Sequence, residues 1–139
     1  MRRRGRKKVK GKILVVDDNE FNIYSLQIML ESKGIESDFA NNGLTSIQMV
    51  EEMHKSNKGY EYKLVLMDCN MPLMDGFEAV GILKQKMSES KLNYIPVVAT
   101  TASVLKEDQQ RCKEAGFDNF LGKPITSEAL DNILQQYAY

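Results

Sequence analysis

The chain has 139 residues, 42% of them hydrophobic and 27% charged, which excludes a disordered or fibrous composition and suits one hydrophobic core rather than two. Its 19 Lys and Arg balance 19 Asp and Glu overall, yet eight of the basic residues crowd into residues 1–12, leaving 11 against 19 acids, a formal −8, for the rest. Cys69 and Cys112 are too few and too unpatterned for a disulfide framework or a zinc site, and no apolar run approaches the roughly 20 residues of a bilayer span.

Residues 1–11 therefore read as a basic, disordered arm and residues 12–139 as a single acidic domain. Such a run can mark a nucleic-acid or anionic-surface patch, but a solvated linker explains it as simply, and no aromatic residue interleaves with the charges as single-strand binding wants. No nucleic-acid contact is expected of the folded part. No signal-like apolar segment follows the arm, so the chain is expected to be soluble and cytoplasmic, in a reducing compartment, with both thiols in or near the core.

From residue 13 onward, short apolar runs alternate with stretches of helical period, the pattern of βαβ units. Ile13, Leu14, Val15 and Val16 form a β-branched run suited to a strand buried on both faces, and it stops at Asp17 and Asp18. Phe21, Tyr24 and Ile28, with Leu26, Met29 and Leu30, recur at steps of three and four up to Gly34, which predicts a first helix. Residues 35–40 read as a second strand, Asn41, Asn42 and Gly43 as a turn, and Ile47, Val50 and Met53 as a helix that dissolves in polar residues 54–63.

Leu64 to Met67 predict a third strand, again ending on an acid, Asp68. A loop from Asn70 to Gly76 leads into a helix marked by Phe77, Val80, Leu83 and Met87; Met71, Met74 and Phe77 read as packing residues. Residues 95–100 predict the fourth strand, with Pro96 tolerable only near its start, and residues 104–115 a helix closed by Gly116. Residues 117–121 predict the fifth strand, and Ile125, Ala129, Ile133, Leu134 and Tyr137 the last helix, with Thr126 as N-cap. The result is a single-domain α/β fold, a doubly wound (βα)5 arrangement around a five-stranded parallel sheet, whose ligands bind outside the carboxyl ends of the strands.

That rule selects Asp17, Asp18 and Asp68, which end the first and third strands. Three converging carboxylates raise one another's pKa and ask for a cation; hard oxygen ligands with open positions suit Mg²⁺. The same edge receives Thr101 and Lys123, a hydroxyl and an ammonium able to bind phosphoryl oxygens, while Asp68 would be the nucleophile that forms an acyl phosphate. Asp17 and Asp18 taken alone are equally explained as helix N-caps, Thr101 as a loop hydroxyl and Lys123 as a surface lysine; their joint placement favours phosphoryl transfer. His54, the single histidine, reads as a surface residue near the polar end of the second helix.

The segments Val16-Asp17-Asp18-Asn19, Met67-Asp68-Cys69-Asn70-Met71-Pro72-Leu73-Met74-Asp75-Gly76, Thr101-Ala102 and Gly122-Lys123-Pro124 resemble, in that order, the marks of response-regulator receiver domains, over about residues 12 to 138. The resemblance implies a flavodoxin-like fold; Asp68 as phosphoacceptor from a histidine kinase or a histidine-containing phosphotransfer protein; Mg²⁺ beside Asp17, Asp18, Asp68 and the Asn70 backbone carbonyl; and Thr101 and Lys123 on the phosphoryl group. It further implies a cis Lys123–Pro124 bond, a switch through Thr101 and Phe120, and tuning of the acyl-phosphate lifetime by Asn70 and Ser103. Phe120 lacks the hydroxyl of a tyrosine, so it would switch by burial alone. The Asp-Asp-Asn and Met-Pro-Leu-Met-Asp-Gly segments look most like receivers attached to hybrid histidine kinases.

The expected function is a two-component or phosphorelay signalling module, a phosphoacceptor rather than a turnover enzyme, read out and able to dimerise through the last two helices and the strand between them. Two alternatives are a phosphorylation-independent docking domain and an aspartyl-phosphate hydrolase. For the latter, Asp68-x-Asn70 is similar to an Asp-x-Asp phosphatase motif, but Asn70 cannot serve as its general acid. Two contexts fit this reading: a stand-alone regulator acting by protein contact, or a receiver within a longer chain such as a membrane-bound kinase.

Overall fold

The computed structural model describes residues 11–56 and 61–139; residues 1–10 of the basic arm lie outside the described residues, as does part of the polar stretch after the second helix. Strands β1 (Ile13–Val16), β2 (Ser37–Ala40), β3 (Leu64–Asp68), β4 (Val97–Thr101) and β5 (Asn119–Gly122) alternate with helices α1 (Glu20–Ser32), α2 (Gly43–Lys55), α3 (Gly76–Ser88), α4 (Lys106–Ala115) and α5 (Ser127–Tyr137). All strand pairs are parallel, in the order β2-β1-β3-β4-β5, which is the flavodoxin-like winding. The chain leaves β1 first to one side and then, after β2, crosses back to the other.

The continuous apolar strands are explained by two cores, one on each face. Leu14 and Val16, Val65 and Met67, and Val97 and Ala99 point into the layer under α2, α3 and α4, whereas Ile13 and Val15, Leu64 and Leu66, and Val98 point into the layer under α1 and α5. Burying a side chain of this size removes it from water at a gain of about 1.5–3 kcal/mol. That is why these central strands tolerate no polar alternation until Asp68 and Thr100.

The recurrence that predicts α1 resolves into two stripes on opposite sides of the helix. Ile23, Leu26 and Leu30 are buried, while Phe21, Tyr24 and Ile28 are exposed. The two sets are offset by two residues, about 200° around a 3.6-residue helix, so only one can face the sheet.

Four element boundaries differ from the sequence reading, each for a local reason. Ile35 is buried but its amide bonds the Leu30 carbonyl at 3.0 Å, closing α1 through Gly34 (φ 77°), so β2 begins at Ser37. Phe117 likewise bonds Cys112 O at 3.1 Å and caps α4 after Gly116 (φ 117°), so β5 begins at Asn119 and runs to Gly122. Helix α4 starts at Lys106, because Val104 and Leu105 are exposed loop residues and Leu105 offers no side-chain cap. Strand β4 runs from Val97 to Thr101 instead of starting before Pro96. Thr126 caps α5 by accepting from the Ala129 amide at 3.1 Å.

Candidate functional site

Parallel registration carries the acids together. Val16 pairs with Met67 across β1 and β3, and Asp68 pairs with Thr100 across β3 and β4, so Asp17 emerges beside Asp68 at the carboxyl edge. One carboxylate oxygen from each of Asp17, Asp18 and Asp68 lies within 4.8 Å of the others. Asp17 and Asp68 are buried, at 2% and 6% exposure, and Asp18 is exposed.

Neither Asp17 nor Asp18 caps α1. The cap is Asn19, whose side-chain oxygen accepts from the amides of Phe21 (2.9 Å) and Asn22 (3.1 Å). Asp17 is instead held by three donors: the Asn19 amide at 2.9 Å, Asn22 Nδ2 at 3.3 Å and Lys123 Nζ at 3.0 Å. Asn19 and Asn22 thus fix the Asp17 carboxylate, a role that no sequence signal announced.

The Lys123 ammonium bridges the two buried acids, 3.0 Å from Asp17 Oδ2 and 3.2 Å from Asp68 Oδ1. Burial pushes the Asp68 carboxyl above the usual carboxylate range and the neighbouring Asp17 charge adds to this; Lys123 and the Asn70 amide pull the other way without cancelling it. For Lys123, burial lowers the ammonium's pKa, but its hydrogen bond to Asp17 and the charges of both acids outweigh burial and raise it. The site therefore holds more negative charge than its one lysine neutralises.

The remaining expected residues lie around this cluster. Thr101 is buried; its hydroxyl donates to the Ser103 carbonyl and accepts from the Ser103 amide, both at 3.1 Å, and its carbonyl accepts from the Lys123 amide at 2.7 Å. Ser103 in turn donates a short hydrogen bond to Asp108 in the first turn of α4. The Asn70 amide faces Asp68 Oδ1 at 3.4 Å while the residue itself is exposed at the mouth. The Lys123–Pro124 bond is cis. Phe120 does not reach the acids: it is half-buried against the α2-α3-α4 core and borders a groove between α4 and α5. His54 Nδ1 lies 3.0 Å from Glu61 Oε1, a partly exposed contact near the end of α2.

Gly76 seats Asp68 from below. Its amide bonds the Cys69 carbonyl at 2.9 Å, Asp75 caps α3 through the Glu78 amide at 2.9 Å, and a Cβ built on Gly76 would collide with the Asp68 carbonyl oxygen. The Asp75-Gly76 pair, readable in sequence as a turn, is thus also the point where α3 presses directly on the end of β3.

Three hard oxygen donors, two of them buried and under-neutralised, form a cluster able to hold a metal ion. A buried carboxylate, a hydroxyl and an ammonium on the same edge of the same sheet are the kinds of group that phosphoryl transfer uses. Residues 13–135 match the family of the response regulator receiver domain. The chain is a response regulator receiver domain.

Similar receivers occur within much larger proteins. This receiver is 36% identical over 130 residues to hybrid signal transduction histidine kinase L of Dictyostelium discoideum, a match covering 94% of this chain and 7% of that protein. It is also 36% identical over 126 residues to the sensor histidine kinase RcsC of Escherichia coli, covering 91% of this chain and 12% of that one. The chain thus spans a small fraction of the length of these curated relatives. Among solved structures, the receiver domain of the sensor histidine kinase PA1611 from Pseudomonas aeruginosa superimposes with a TM-score of 0.76 at 29% identity, over 92% of this chain and 97% of that one. Magnesium is coordinated in the active site cleft of that domain. The receiver of Ssk1 from Saccharomyces cerevisiae, solved with the histidine phosphotransfer protein Ypd1, shares the fold with a TM-score of 0.82 at 23% identity, over 95% and 92% of the two chains.

As a receiver, the chain is a module of the two-component or phosphorelay type. None of the helices among the described residues is long and apolar enough to cross a membrane.

Proposed function

We propose that Asp68 is the phosphoacceptor of this receiver and takes its phosphoryl group from a phosphohistidine on a histidine kinase or a histidine-containing phosphotransfer protein. The observation that carries this reading is the bridge from Lys123 to both Asp17 and Asp68, which puts an ammonium between two buried acids, of which Asp68 ends the middle strand, β3. In the step itself an Asp68 carboxylate oxygen attacks phosphorus, a P–O bond forms as the P–N bond breaks, and the imidazole leaves with the electron pair of that bond.

Lys123 and the Thr101 hydroxyl would bind the phosphoryl oxygens as charge spreads over them. Asp17, Asp18 and Asp68, with the Asn70 backbone carbonyl, are the residues that would hold Mg²⁺, which when bound would neutralise charge on the acids and on the phosphoryl oxygens. Drawing the Thr101 hydroxyl toward the phosphoryl group gives up its two contacts with Ser103, and Ser103 is tied to α4 through Asp108. That chain of contacts supports a switch in which Thr101 and Phe120 pass the phosphorylation state to the face of α4, β5 and α5, which would also serve any dimer. Asn70 and Ser103 would flank the hydrolytic water and set the acyl-phosphate lifetime.

The outward stripe of α1 is the surface on which the phosphohistidine donor would dock. Phe21, Tyr24 and Ile28 are 78%, 64% and 48% exposed on the helix that starts three residues after Asp17. An apolar patch beside a polar site marks a protein contact. By its relatives, the receiver would be one cytoplasmic part of a hybrid histidine kinase.

The deciding experiment is intact-mass spectrometry after incubation with acetyl phosphate and Mg²⁺. One added phosphoryl group, dependent on the metal and absent in Asp68→Asn, is expected. An adduct that survives in Asp68→Asn at the wild-type rate would refute the assignment.

A further inference from the structure

Cys69 and Cys112 play no part in the phosphoryl chemistry, yet their Sγ atoms lie 3.8 Å apart across two elements. Cys69 follows Asp68 at the end of β3, and Cys112 projects from α4; both are free thiols, at 1% and 3% exposure. A disulfide needs about 2.05 Å between sulfurs, so closing the pair takes a displacement of under about 2 Å.

Helix α4 is built to allow it. Cys112 is the only fully buried residue of α4, and the helix has no side-chain cap at its start. Beside it, the Arg111 guanidinium stacks 3.9 Å from the Phe77 ring centre, Ala115 packs against the same core and Asp108 accepts from the Ser103 hydroxyl. Cys112, 3% exposed, also borders a groove of about 730 Å³ between α4, β5 and α5, the side from which a small oxidant would have to enter.

We propose that Cys69 and Cys112 form a reversible oxidation site, joined by hydrogen peroxide into an intramolecular disulfide that staples α4 to the end of β3. Peroxide converts the Cys112 thiol to a sulfenic acid and leaves as one water. The Cys69 sulfur then attacks the sulfenic sulfur, the S–O bond breaks, and the hydroxyl departs with the Cys69 proton as a second water. Two thiols lose two electrons and two protons, and one peroxide becomes two waters. In a reducing compartment such a bond is transient and reports oxidant. Its formation adds a covalent link between α4 and the end of β3.

The test uses the full chain, reduced, freed of reductant, exposed to a modest excess of hydrogen peroxide, then denatured, alkylated and weighed. The expected product is a monomer lighter by two hydrogens that takes up no alkylating agent, yields a cross-linked peptide pairing Cys69 with Cys112, and recovers two alkylatable thiols after dithiothreitol. Amide hydrogen exchange along α4 is expected to slow about tenfold in the oxidised form, as its local opening is suppressed. In Cys69→Ala the sulfenic acid on Cys112 is expected to persist long enough for dimedone to trap it. Two free thiols after treatment that oxidises a cysteine peptide control, sulfinic acid without a cross-link, or disulfides found only between chains would each overturn the proposal. The wild-type measurement decides it even where a substituted chain fails to fold.

Discussion

Lys123 and Asp17 stand 106 residues apart in the chain and meet at 3.0 Å, with Asp68 on the other side of the same ammonium at 3.2 Å. The contact closes the sheet's carboxyl edge across β1, β3 and the end of β5, and it makes one side chain responsible for offsetting two buried acids.

Removing that side chain leaves two partly uncompensated carboxylates. Lys123→Gln is expected to lower folding stability by about 1–2 kcal/mol in metal-free buffer, less than a fully buried pair would cost because the lysine is 21% exposed. Mg²⁺ should restore part of the loss, since a cation among the acids replaces the missing charge. Urea titrations of both proteins with and without Mg²⁺ check this; equal loss in both buffers would mean that the ammonium acts only by packing.

Asp68 carries the opposite sign. Its carboxyl binds a proton more tightly in the folded chain than a free aspartate, whose ordinary value is 3.8, so protonation favours folding and the contribution of Asp68 to stability falls as pH rises from about that value through the raised folded pKa. Asp68→Asn, uncharged throughout, should abolish this fall and be more stable than wild type near neutral pH, with a higher Tm. Denaturation curves collected across the acid range test the sign. A wild-type stability that rises relative to that of Asp68→Asn through that window would contradict the burial that sets the shift.

Gly76 has no room for a side chain. Gly76→Ala drives a methyl group toward the Asp68 carbonyl oxygen, so either α3 or the end of β3 must move. A destabilisation of about 1–3 kcal/mol is expected, as for other overpacked sites. Labelling of the folded fraction by acetyl phosphate should fall as well, although Asp68 is unchanged. Wild-type labelling and stability together would show that the junction yields freely.

The exposed stripe of α1 separates docking from chemistry. Phe21→Ala and Tyr24→Ala lie on the solvent side and should change stability by no more than about 0.5 kcal/mol. With acetyl phosphate they are expected to label like wild type. With a phosphorylated histidine-containing donor, transfer should slow about tenfold, the effect of losing an apolar anchor in an interface. A rapid-quench comparison of the two donors reads the difference, and equal rates would move the docking surface elsewhere.

Much of this receiver was legible in its sequence because the signals were local and periodic. Val97 to Ala99 and Leu64 to Met67 announce strands covered on both faces, and Asp17, Asp68, Thr101 and Lys123 each sit at or just past a strand end, where parallel topology sends them to one edge. Thr126 as a cap follows from one residue and its neighbours.

Other features depended on where the chain was covered. Phe21, Tyr24 and Ile28 have the same helical spacing as Ile23, Leu26 and Leu30, and only the placement of β1 beneath α1 decides which stripe is inside. Ile35 and Phe117 are apolar and buried, yet their amides close helices instead of extending strands, a choice made by the positive φ of Gly34 and Gly116. Asn19 takes the cap that Asp17 or Asp18 would otherwise fill, which frees Asp17 for Lys123. The approach of Cys69 to Cys112 and the tie from Ser103 to Asp108 join segments whose spacing carries no pattern. Periodicity fixes what a segment is, because it depends on neighbours along the chain; the partners of a side chain come from elements brought together only by folding.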